Sequence, residues 1–146
     1  MSEIGKSASY TNSGSYNIGS SPSDERGTGW TDKVFDTLGL EYVVNTSTYQ
    51  HGFKVPFDGI YKIDVIITFR GTAWDAGGSL YGYLRRNGGS AQTVIERGEN
   101  YHSCTFSFLS AANAGDLLVF TLLQNTGNTV VIDGPSSRFN ITYLGK

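Results

Sequence analysis

The side chains that could do chemistry are few and scattered. His51 and His102 are far apart in the chain, and neither has a ligand-type residue four positions away. Cys104 stands two residues after His102, and His-x-Cys on a strand points both side chains to one face, as two soft metal ligands would require. The same face carries Phe106 and Phe108, so the pair reads as half of a hydrophobic core, and we assign no metal. Asp58, Asp75, Asp116 and Asp133 fall in turn sequences without the alternating acid spacing of a calcium loop. An aspartate there accepts hydrogen bonds from its own backbone. Serine is abundant, but no Gly-x-Ser-x-Gly occurs and neither histidine has an identifiable orienting acid. Gly77-Gly78 and Gly88-Gly89 follow no strand–helix pattern and are not phosphate loops. The expectation is a protein that is not an enzyme and takes no cofactor. For recognition the candidates are Trp74 and Asp75, in the loop Gly71–Gly78, where a ring among small residues could stack on a sugar or enter a protein pocket. Trp30 offers the same chemistry unless it folds over its own domain. Arg85-Arg86 is a basic pair whose members point to opposite faces, leaving one on a solvated rim.

Composition narrows the partners. The chain has 146 residues, the size of one domain, with 38% hydrophobic residues to fill one core. Charged residues are 16%, against about 25% in ordinary globular chains. Small neutral residues take their place, 19 of them glycine. Eleven basic and 13 acidic residues give a net charge of −2, so there is no basic field for nucleic acid and no basic stripe for a membrane surface. No apolar run reaches the roughly 20 residues of a spanning helix, and the first thirty residues hold no apolar leader, so no secretory signal is expected. Asn45-Thr46-Ser47 and Asn140-Ile141-Thr142 are accordingly read as chance glycosylation matches. A single cysteine excludes an internal disulfide.

Two regions differ in character. Residues 1–29 are rich in serine and glycine, with Ile4 and Ile18 as their only aliphatic side chains. Alone, such a segment buries too little to offset its ordering entropy, so it reads as an extended polar arm held by a neighbour. Residues 30–146 carry the fold. In Gly59–Arg70, Tyr61, Ile63, Val65, Ile67 and Phe69 alternate with more polar residues, and His102–Leu109 alternates in the same way. Asp116–Gln124 is apolar on both faces, the mark of a strand covered on two sides. Further strands are expected at Lys33–Thr37, Glu41–Val44, Ser79–Arg86, Ala91–Arg97, Thr129–Ile132 and Ser136–Leu144, separated by turns such as Asp58-Gly59 and Asn87-Gly88. The result is an all-β antiparallel sandwich.

The segment Tyr49–Ile63 adds a specific likeness. Gly52, Phe53, Pro56, Gly59 and Tyr61 reproduce the Gly-x-Phe-x-x-Pro-x-x-Gly-x-Tyr run, leading into a long apolar strand, of tumour necrosis factor-like ligands and the complement globular head. Ser79–Gly88, Leu109–Val119 and Ser136–Leu144 resemble later strands of that family in order and spacing, although the glycine usual after the last phenylalanine is Asn140 here. The resemblance implies a jelly roll of about ten strands, forming a homotrimer about a threefold axis. The aromatic residues outnumber what one sandwich interior about 10 Å thick readily absorbs. Tyr61, Tyr83, Phe120, Phe139 and Tyr143 are therefore the candidates for the trimer interface.

These features resemble a tailed-phage head decoration protein. The expectation is a non-enzymatic structural protein on the virion exterior, assembled in the host cytoplasm, cementing a major capsid protein or other coat subunits. Ile4, Tyr10, Tyr16 and Ile18 of the arm would be its anchors. The alternative is the receptor- or glycan-binding tip of a fibre or spore-surface protein, acting through Trp74 and Asp75.

Overall fold

The computed structural model describes residues 3–20, 25–27, 29–44, 51–70, 78–97 and 103–146. Within them the chain forms thirteen strands: β1 (Ser7–Thr11), β2 (Tyr16–Ile18), β3 (Arg26–Gly27), β4 (Asp32–Asp36), β5 (Glu41–Val43), β6 (Gly52–Lys54), β7 (Gly59–Thr68), β8 (Ser79–Arg86), β9 (Gln92–Arg97), β10 (Ser103–Ala112), β11 (Leu117–Gln124), β12 (Val130–Ile132) and β13 (Arg138–Gly145). One turn of 3₁₀ helix, Gly134–Ser136, precedes the last strand. Among the described residues no helix is long and apolar enough to cross a membrane.

Two antiparallel sheets face each other. One runs β10-β7-β13-β1-β4; the other runs β5-β6-β11-β8-β9, with β3 added to β11. A β2–β12 ribbon closes one side. The non-sequential order makes this an all-β antiparallel jelly-roll sandwich. Period-two patterning builds it: Tyr61, Ile63, Val65 and Ile67 of β7 are fully buried, and Cys104, Phe106 and Phe108 of β10 point into the same interior. From β11, Leu118, Phe120 and Leu122 close the core against them. Their register follows from full-length pairing of β7 with β10, Val65 opposite Phe106 and Ile63 opposite Phe108.

The Pro56–Tyr61 motif has a mechanical reading. Gly59 sits at φ +146°, and a Cβ there would lie 2.5 Å from the Gly145 carbonyl oxygen, so only glycine fits. The Tyr61 hydroxyl donates to the Phe57 carbonyl at 2.7 Å and accepts from the Phe57 N–H at 3.0 Å. Tyr143 donates to the Asp58 carbonyl at 2.8 Å. Two buried tyrosines thus hold one turn by its backbone.

The expectation of a separate arm is corrected here. β1 lies inside the five-stranded sheet, between β13 and β4, with Ala8 and Tyr10 turned into the core. Ile18 of β2 is fully buried as well. A strand hydrogen-bonded on both edges draws its stability from two ladders and needs few apolar side chains, so a serine-rich composition does not prevent its folding. The boundary at residue 29 therefore does not separate two bodies.

Candidate assembly surface

The sandwich absorbs most of its rings, one of them because a glycine faces it. A Cβ on Gly82 would lie 2.4 Å from a Phe106 ring carbon, so the absence of a side chain on β8 makes room for the ring on β10. Of the five aromatic interface candidates, Tyr61, Phe120, Phe139 and Tyr143 are interior to one chain. Their partners are internal: Tyr61 with Tyr143 at 5.2 Å between ring centres, Phe139 with Phe53 at 4.9 Å, and Phe120 with Phe106 at 5.6 Å. None of these four is available to a threefold contact. Tyr83 stands apart on the outer face of the six-stranded sheet, its ring parallel to Tyr81 at 6.4 Å and the Arg85 guanidinium 5.2 Å above it. Arg85 is held by Glu25, which also accepts from the Thr121 hydroxyl.

The arm anchors separate in the same way. Tyr10 packs on Phe53 at 4.6 Å and Ile18 lies at zero exposure, so both are core residues rather than hooks for a partner. Tyr16 packs against that core, and Ile4 remains exposed. Trp30 is buried too, 5.8 Å from Phe139, and cannot stack on a ligand. Trp74 and Asp75 lie outside the described residues, as does His102. Among the described residues no group of three or more His, Cys, Asp and Glu side chains is gathered as a metal site would need. His51 is stacked 6.5 Å from Tyr42, and burial pushes its pKa below the usual value. Burial, with the Glu96 charge adding to it, pushes the Cys104 thiol up to about 12, which leaves it an inert core residue.

What the sequence reading missed lies along the two open edges of the sandwich. On one edge the two sheets are laced by side chains: Gln92 of β9 donates to the Leu109 carbonyl of β10 and Arg86 at the end of β8 to the Ala111 carbonyl, each at 2.9 Å. Between β9 and β10 opens a groove of about 500 Å³ lined by Lys62, Gln92, Thr93, Val94, Ser107, Phe108 and Leu109. Leu109, 60% exposed, is its most exposed apolar side chain. On the opposite edge β4 presents Val34 and Phe35, 52% and 48% exposed. Phe35 pairs with Ser9 across a register shift, and so projects from the outer face of its sheet. The signals were present but weak. Adjacent apolar residues in a short, otherwise polar strand cannot both point inward, and Leu109 occupies an outward position in the β10 alternation.

No family model and no curated protein matches the chain. Solved structures do. Murine APRIL shares 16% identity over 95% of this chain and 98% of its own, with a TM-score of 0.63. PRD1 vertex protein P5 shares 14% identity over 97% and 99%, with a TM-score of 0.61. The globular domain of zebrafish complement 1qA shares 11% over 97% and 98%, with a TM-score of 0.58. The fold is thus a jelly roll of the tumour necrosis factor-like type, and the likeness in shape spans essentially the whole of this chain and of each of these structures.

Proposed function

We propose that the chain is a non-enzymatic structural protein of a virion exterior that works as a homotrimer, decorating the capsid or standing at its surface as a head fibre. The observation that carries this reading is the whole-chain likeness to a vertex protein, joined to a sandwich whose two edges expose large apolar side chains. An isolated domain seldom leaves such edges bare, because free strand edges with apolar flanks invite further pairing. The likeness to APRIL and the complement head favours threefold self-association as what covers them. With Tyr10 and Ile18 inside the core, a polar leader no longer supplies the attachment; the outer faces of the assembled trimer do. Each added interface to a coat subunit would raise the free energy of pulling that subunit away. The test is antibody labelling of intact purified particles, together with mass measurement of the purified chain. Labelling of the outside and a threefold mass are expected. A monomer in solution, or particles that label only after disruption, would contradict the reading.

A further inference from the structure

We infer that the contact between copies is head-to-tail: the Val34–Phe35 rim of β4 on one copy seats in the β9–β10 groove of the next. The inference rests on the trimer reading above and names the surfaces that it leaves open. Three observations carry it. The two apolar patches differ in shape, one a groove of about 500 Å³ and the other a projecting aromatic side chain. A groove of that size lies within the usual range for small-ligand pockets and has room for an aromatic ring with its neighbours. They lie on opposite edges, since β4 ends one side of the five-stranded sheet while β9 and β10 end the other side of the sandwich. Finally, Val94, Phe108 and Leu109 form an apolar lining while Gln92, Thr93, Ser107 and the cationic Lys62 supply a polar margin, the arrangement of an interface centre and its rim.

A two-fold contact pairs a knob and a groove reciprocally only when both lie within one patch, and here they stand on opposite edges of the sandwich. They specify a heterologous contact, which either closes into a ring or runs on as a filament. Closure is what a chain of fixed copy number requires. The Phe35 side chain faces solvent in the single chain, so changing it alters association without opening the core.

Mixed cysteine crosslinking tests this directly, with buried Cys104 left in place. Phe35→Cys alone and Leu109→Cys alone are each expected to stay uncrosslinked under mild oxidation, while an equimolar mixture, co-refolded, yields a disulfide-linked dimer. In parallel, Phe35→Asp should weaken association at least tenfold with an unchanged far-ultraviolet circular dichroism spectrum. A threefold mass for the unmodified chain with no crosslink in the mixture, or with crosslinking of either variant alone, overturns the head-to-tail pairing and leaves the trimer standing. A monomeric unmodified chain overturns the trimer reading itself.

Discussion

Tyr10 donates a hydrogen bond of 2.9 Å to the Asp36 carboxylate, tying the strand nearest the N-terminus to the end of the edge strand beside it. The same carboxylate accepts from the backbone N–H groups of Leu38 and Gly39 through Oδ1 and of Leu40 through Oδ2, at 2.7–2.9 Å. One side chain therefore caps the turn after β4 and anchors β1. Asp36→Ala leaves these donors without their acceptor and should cost about 2–3 kcal/mol. Tyr10→Phe keeps the ring on Phe53 and should cost about 1 kcal/mol. Denaturant unfolding of both variants checks the ranking, and an Asp36→Ala change within experimental error of zero would refute it.

Alkali should unfold the protein from about pH 10 upward. Burial raises the Tyr10 pKa well above its ordinary value of 10.0, with the Asp36 hydrogen bond and charge adding to it. Burial moves Tyr42, Tyr61 and Tyr83 the same way. Below the unfolded value both states keep the proton and the full contribution to stability is present. Above it the unfolded phenol ionises first, so stability falls as pH rises toward the folded value. Unfolding free energies measured between pH 8 and 11 should decline, and Tyr10→Phe should reduce the slope.

Cys104 should not react with a thiol reagent at pH 8 while the chain is folded, and should react once per chain in denaturant. Its side chain points into the core between the sheets, where burial holds the thiol protonated. Rapid modification of the native protein would show that β10 opens.

Gly82→Ala should destabilise by about 2 kcal/mol or more, because its Cβ would collide with the Phe106 ring. Combining it with Phe106→Leu should cost less than the sum of the two single changes. Strict additivity would mean that the two positions do not share this space.

The strands that the sequence displayed are those whose patterning stands alone. Ser79–Arg86 is found at its expected bounds, and the alternation beginning at Tyr61 runs through β7 as read. The Pro56-x-x-Gly59-x-Tyr61 run marked the turn correctly, and the tyrosine hydroxyl on the Phe57 backbone supplies its physical reason. β1 was hidden because Ala8 and Tyr10 are its only inward residues and Ser7, Ser9 and Thr11 fill the rest; its stability comes from neighbours distant in the chain. The fate of the rings was hidden for a related reason. Whether Phe106 fits inside depends on a glycine in another strand, Gly82, which no local pattern discloses. The edge surfaces were harder still, since exposure of Phe35 and Leu109 follows from which strands end each sheet.

Sedimentation equilibrium of the purified, unmodified chain beside Phe35→Asp measures the assembly most simply. A species of three chains that falls to one chain in the variant, both fully folded, is the predicted result. A single-chain mass for the unmodified protein at every concentration up to the micromolar range would contradict it.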